Sequence, residues 1–488
     1  MTQAPAASGA VSREALEARL ASSPAWLADR RNAAWDAFTA LPMPSSMRDE
    51  DWRRTDIAKL KIAEFGAAGA ADDALAELAR RRQARALPKA ALVLAGPDGR
   101  VSLENADSLQ AQGVILSSLQ EAAVRHPELT QRGMAGVGTG ESYFTALWNA
   151  LWRGGAFVYV PAGVDAMTPV WVSHLAPAEG TASFPGTVVV VDENASLTLV
   201  EDLCGADEPG ARLTVAVSVL QLGVGAHLAD FPVQQLPPGT WHISTRRATC
   251  AGTARYRLVG ASVGARVQKS YWDVMLEGQA SEADLFGVCF AGGQQHLDHQ
   301  SLQLHQGRDT RSHLILKVAA RDRAQSVYSG LIAVEPDAVH ADGYVVNRNL
   351  LLSHGASASG VPRLEIKAND VRCGHGTTVG HVDDEERFYL MARGVPPEEA
   401  ERLIVSGYFA DVLDRVPEET LRDWLVSLLE AEISGGGAAA KAAEGEPGQA
   451  AGVASGQAAR GESGQAAGVE SGQAARGESG QVARGAGS

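Results

Sequence analysis

Cys373 and His375 stand two residues apart in "DVRCGHGTTVG", each followed by a glycine. Thiolate and imidazole are both ligands for soft or borderline metals. In a strand, residues two apart share a face and lie about 7 Å apart. Cys373 and His375 would then point the same way, with Val371 and Thr377 in the same row. Two readings follow. The row faces inward, with Cys373 as a small apolar residue and His375 hydrogen-bonded. Alternatively, the pair is part of a metal site. Two ligands are too few for a closed site, so the rest would come from elsewhere, another chain included. Gly374 and Gly376 add no bulk beside His375 and let a second backbone come close.

Other candidate chemistry is thinner. Cys204, Cys250, Cys289 and Cys373 lie far apart with no CxxC, which excludes a disulfide framework and a zinc knuckle. A reducing compartment is the natural expectation. "QQHLDHQSLQLHQGRDTRSHLILK" holds His296, His299, His305 and His313 beside Asp298, but at no standard ligand spacing. The expectation is a polar outer face of consecutive strands, with the imidazoles solvated or hydrogen-bonded to neighbours. No P-loop is present, and "GVGTG" and "GVGAH" read as turns rather than dinucleotide fingerprints. No hydrolase elbow, zincin or kinase motif occurs.

The elements that must position these residues fall into zones along 488 residues. Residues 1–89 read as helical. Ser12 caps "REALEARL", and Ser23 caps a helix with Pro24 at its first position and Trp26, Leu27, Trp35 and Phe38 on its apolar face. Residues 90–155 are mixed, with a strand–turn–strand around Pro97-Asp98-Gly99 and a helix from Gly140 to Gly155. Residues 156–382 are nearly all short strands of alternating polarity, broken by turn residues. So many strands without long helices favour a parallel β-helix, although no strict repeat is visible; a double sandwich is the competing architecture. Residues 383–433 return to helix. Asp383 and Glu386 suit its N-terminus and Gly394 its C-terminus. Leu421, Trp424, Leu425, Leu428, Leu429 and Ile433 form one stripe, expected to pack on a neighbouring helix, with an exposed face for a partner as the alternative. From 434 to 488 a Gly/Ala/Gln/Glu-rich segment repeats Gly-Gln every eight residues; it reads as a disordered tail.

Net charge is −15 and pI near 5.3, which argues against nonspecific nucleic-acid binding. No stretch reaches the roughly 20 apolar residues of a membrane span, and the N-terminus shows no apolar secretory core. A soluble, cytoplasmic protein is expected.

One long stretch resembles a known family. Asn347-Arg348-Asn349-Leu350-Leu351, Pro362, Leu364-Glu365-Ile366, Asp370-Val371, Cys373, His375-Gly376, Thr378-Val379-Gly380, Phe388-Tyr389-Leu390 and Arg393-Gly394 form a linear set. It strongly resembles the C-terminal region of the SufB/SufD family of iron–sulfur cluster assembly scaffolds, and the Cys-x-His-Gly form favours the SufD branch. "DEDWRRTDI" (Asp49 to Ile57) and "FTALWNALWRGGAFVYVPAGV" (Phe144 to Val164) resemble two further family segments. Gly374 stands where serine is usual and Arg54 where tyrosine is common.

The resemblance implies a right-handed parallel β-helix between helical ends. It implies a scaffold with no catalytic turnover of its own, paired with SufB through the β-helices. The ATPase SufC would bind the C-terminal helical region, and a second copy could take SufB's place in isolation. It makes His375 a candidate ligand of a transient iron–sulfur cluster or iron at the SufB interface, with Cys373 beside it. A reduced flavin is implied for the complex, with no residue here to hold it. Two alternatives stay open: a SufB-type primary scaffold, and a β-helix enzyme acting on polysaccharide.

Overall fold

The computed structural model describes residues 9–435. The tail reading lies, from residue 436 on, outside the described residues. Two parallel sheets run side by side and exchange strands in strict alternation. One stacks Ala156–Val160, Gly186–Val191, Arg212–Leu222, Thr240–Cys250, Val267–Leu276, His296–His305, Gln325–Val334 and Ser357–Ile366. The other stacks Asp165–Leu175, Ser196–Cys204, His227–Gln235, Arg255–Ser262, Glu282–Ala291, Arg311–Ala320, Asp342–Leu351 and Arg372–His381. Each coil contributes one strand to each sheet, giving eight coils of a parallel β-helix. Register partners such as Trp241–Val267 and Gln325–Ser357 are 26 and 32 residues apart, the extremes of the series. That variation hides the repeat from a search for a fixed period.

The lumen is filled by alternate residues of both sheets. Leu220, Leu222, Ala248, Cys250, Val274 and Leu276 face Leu197, Leu199, Leu228, Leu258 and Leu285 across it. Burying such side chains stabilises by about 1.5–3 kcal/mol each. At one corner, Asn194, Gly225, Thr253, Ala280, Asp309, His340 and Asp370 all adopt positive φ. Each N–H from Asn194 to His340 donates to a carbonyl in the next coil's turn, ending with His340 N–H to Asp370 O at 2.8 Å. A turn of this hand favours Gly, Asn or Asp, and four of the seven positions carry one of them, while Thr253, Ala280 and His340 adopt it without that advantage.

The two ends of the stack differ. The first coil meets antiparallel strands, Ile115–Ser118 on one sheet and Val101–Glu104 beyond Ala91–Ala95 on the other. The last strands, Ser357–Ile366 and Arg372–His381, have no further strand on their outer edges among the described residues.

Helices cover the outer faces. Leu27, Phe144, Leu147 and Trp148 pack against Val188, Val215, Val217 and Val219 on one sheet. Phe409, Val412, Leu421 and Trp424 pack against Phe231, Val259, Phe286 and Val288 on the other. Ser12 caps Arg13–Leu20, accepting from the Ala15 N–H at 3.1 Å. Ser23 does not cap the next helix. Pro24 holds the cap position, and the Ser23 hydroxyl instead donates to the Arg19 carbonyl and accepts from Arg31 Nε. All six residues of the Leu421–Ile433 stripe are buried.

The histidine cluster departs from expectation. Register alternation puts His296 and His313 on the outer faces but turns His299 and His305 into the lumen, where both are buried. Burial depresses His242, His299 and His305 to about 4. They are neutral in the fold, whereas unfolded histidines take a proton below about 6.5. Stability is therefore full above the unfolded value and falls as pH drops from there towards 4. Each histidine contributes a slope of up to about 1.4 kcal/mol per pH unit. Urea unfolding at neutral pH and at pH near 5 should show this loss, and His305→Asn should flatten it.

Candidate functional site

The open end of the β-helix carries the candidate ligands. Strand Arg372–His381 pairs with Asp342–Leu351 alone, matching Gly343 to Cys373, Val345 to His375 and Asn347 to Thr377. Val345 and Asn347 are buried in the lumen. Cys373, His375 and Thr377 therefore share the lumen face, but among the described residues no ninth coil covers them. Cys373 is half-buried and His375 exposed. The row lies on the lumen face at a place where, among the described residues, the lumen is uncovered, and His375 is exposed there and not hydrogen-bonded within it.

Neighbouring residues shape this row. Asn349 Nδ2 donates to Asn347 Oδ1 at 2.7 Å and to the Thr378 carbonyl at 3.2 Å, tying the last strand to the coil before it. Gly343 makes room behind Cys373. A Cβ there would lie 3.0 Å from Ile332 Cγ2, 3.3 Å from His305 Nε2 and 3.4 Å from Cys373 Sγ. Gly360 is tighter still, since its Cβ would meet Thr377 Cγ2 at 2.3 Å. Gly376, after His375, faces open space. The room that this glycine leaves for a second backbone is present and unfilled among the described residues. Burial pushes the Cys373 thiol up, partly offset by a backbone hydrogen bond from Gly343. A thiol of that kind is protonated until a metal or cation draws the proton off.

Neither Gly343 nor the two asparagines stood out as site residues in the sequence. Their spacing relative to Cys373 is set by the 30-residue step between coils, which no local motif reveals.

Two further surfaces adjoin this end. The helix Asp384–Ala392, capped by Asp383 accepting from the Glu385 N–H at 2.8 Å, has no buried residue. It exposes Phe388, Tyr389 and Met391, with Phe388 71% accessible. Leu403, on helix Pro397–Leu413, adds to the exposed apolar side chains. Such groups on one short segment mark an interaction surface more than a core. The second surface is "DEDWRRTDI". Lys269 Nζ donates to the Asp51 carbonyl and pairs with buried Asp298 at 2.5 Å. It also lies 4.9 Å from the Trp52 ring centroid. Thr55 Oγ1 bonds Asp298 and, at 2.9 Å, His296 Nε2. Arg363 of the last coil contacts Asp51 at 3.5 Å. The N-terminal signature thus packs on the outer face of the coils leading to the open end.

Deeper in the lumen, a buried ion cluster stands apart from these residues. Arg246 donates to Asp230 at 2.7 Å through both Nε and Nη2, and to Glu201 at 2.9 Å. Tyr256 donates to Asp230 at 2.7 Å and Ser218 to Glu201 at 2.9 Å. Among the described residues, no three His, Cys, Asp or Glu side chains group as a metal centre. No described helix is long and apolar enough to cross a membrane.

The family description "SUF system FeS cluster assembly, SufBD core domain" matches residues 174–408, and "SufBD protein N-terminal region" matches 12–172. The iron–sulfur cluster assembly protein SufD of Bacillus subtilis (strain 168) is 28% identical over 422 residues, spanning 84% of this chain and 94% of that protein. SufB of the same organism is 24% identical over 409 residues, spanning 82% and 88%. A SufBD family protein of Mycobacterium leprae (strain TN) is 30% identical over 295 residues, 57% of this chain and 71% of that one.

Proposed function

This chain belongs to the SufBD family of iron–sulfur cluster assembly proteins, and from that premise we propose that it acts as a SufD-like scaffold subunit. It pairs with SufB through its last coil, presents His375 and Cys373 to a nascent cluster, and binds SufC through its C-terminal helices. It turns over no substrate itself. The observation that carries this reading is the open last coil. Both edge strands present unpaired backbone groups, an arrangement suited to adding another chain's strands. The two candidate ligands lie on the lumen face of that same coil. A partner β-helix abutting it would cover them and supply the missing ligands.

The chemistry suits a transient cargo. Clusters and iron accept thiolate and imidazole. A site with few ligands, shared between two chains, releases its cluster more readily than an all-cysteine site. The thiol loses its proton on binding, so loading weakens as pH falls.

The C-terminal assignment rests on Phe388, Tyr389 and Met391 rather than on the Leu421–Ile433 stripe, which is used up in packing. Deleting the last helices would uncover the core and test nothing specific. Co-purification from the native host should bring SufB and SufC with this chain. Phe388→Asp with Tyr389→Asp should release SufC while SufB stays and the thermal midpoint holds. Retention of SufC by this variant would move its binding site elsewhere. A SufB-type alternative would show itself if the isolated chain, reconstituted anaerobically, developed cluster absorption alone. Family membership gives the polysaccharide reading no support.

A further inference from the structure

A second histidine pair lies at the far end of the same strand. His381 ends Arg372–His381, and His354 lies in the turn between Asp342–Leu351 and Ser357–Ile366. Their ring centroids are 5.8 Å apart and their planes tilted by 49°. Both side chains are exposed. Neither ring has a hydrogen-bond or ion-pair partner among the described residues. By contrast His296, His299, His305 and His340 are each engaged by neighbours. Two unengaged imidazoles brought side by side by residues 27 positions apart are not a product of local sequence.

The separation matches shared coordination. Imidazole nitrogen binds zinc-class metals at about 2.0–2.1 Å, which puts the ion about 3.2 Å from each ring centroid. Two such rings are then about 5.2 Å apart at a tetrahedral angle and about 6.4 Å apart in a linear arrangement. The observed spacing falls between them. Both rings are exposed, and water can fill the remaining positions.

We propose that His354 and His381 form a two-imidazole site for a borderline divalent transition metal, separate from Cys373 and His375. Along an extended strand, His381 lies about 20 Å from His375, so one ion cannot be shared by both. In a chain that handles iron, a reading this inference borrows from the proposed function, the site would take ferrous iron weakly and reversibly near the open coil. Imidazole suits iron as well as zinc and nickel, and a pair with open positions holds an ion without sequestering it.

The test is calorimetric titration of the full chain with Zn²⁺ alone at mildly alkaline pH. His354→Gln and His381→Gln should each weaken one binding event by roughly tenfold or more, the scale on which loss of a supporting contact already acts. Cys373→Ser with His375→Ala should leave that event unchanged. The inference is overturned if both glutamine variants titrate like the unaltered chain, or if the event disappears with the Cys373/His375 variant instead. Because the readout is ion binding by this chain alone, failure of the scaffold role would leave the result standing. Failure of the site would equally leave the scaffold role untouched.

Discussion

Replacing His375 with alanine should abolish cluster assembly in the reconstituted complex with SufB and SufC while leaving this chain as stable as before. The side chain is exposed, and no hydrogen bond holds it among the described residues. Surface substitutions away from packing, caps and buried polar networks usually shift stability by no more than about 0.5 kcal/mol. The fold should not register the loss. Function should, because a site with only one or two ligands per chain has no spare donor. Cluster absorption on the assembled complex reports the one quantity, and urea unfolding of the isolated chain the other. Unimpaired assembly would remove His375 from the site. Cys373→Ser is a milder case. Its half-buried thiol packs beside Gly343 and Ile332, and a hydroxyl of similar size fits there, so any assembly defect reports ligation rather than shape.

The largest expected loss of stability is at Arg246. Replacing it with leucine should cost about 3–5 kcal/mol, the usual consequence of leaving buried carboxylates without their cation. Burial alone would raise the Glu201 carboxyl, but the Arg246 charge together with His174 and the Ser218 hydrogen bond outweighs it and holds the carboxyl at about 2. A depressed carboxyl stabilises the fold above its unfolded value and loses that contribution only as pH falls towards 2. Without Arg246 the shift reverses: Glu201 would take up a proton at higher pH. Acid sensitivity of the variant should therefore move upward. Adding Glu201→Gln and Asp230→Asn to Arg246→Leu should recover much of the loss, since neutral groups can stay buried at lower cost. A loss below about 1 kcal/mol for the single variant would show that water reaches the cluster.

Much of the architecture was legible in the sequence because β-helix strands alternate and their turns need particular residues. The caps at Ser12 and Asp383 and the glycine at Gly394 are local signals, and local signals read well. Ser23 misled because proline at the following position satisfied the same pattern one residue out of step. The histidines misled for a related reason. In "HLDHQSLQLH" polar residues occur at both parities, so alternation cannot say which face is inside. The lumen of this β-helix is polar over several coils, with Glu201, Asp230, Arg246, Gln268 and His299 all buried. Cys373 and His375 could be put on one face from spacing alone. That this face is the uncovered end of a lumen depends on where the stack stops, and only the coil-by-coil register shows it.

The unequal ends of the stack have a consequence for assembly size. Parallel coils are templates, each laying out the hydrogen bonds for the next, as a crystal face directs its next layer. Such a surface, present at both ends, would let molecules polymerise head to tail into fibres. Here the end strands Ile115–Ser118 and Val101–Glu104 run antiparallel to their neighbours, so the coil-by-coil parallel register is not carried onward at that end. The molecule is a seed with one live face. Once a partner's strands cover that face, as the proposed pairing requires, no second parallel edge is left among the described residues, so the expected assembly is a pair and not a fibre.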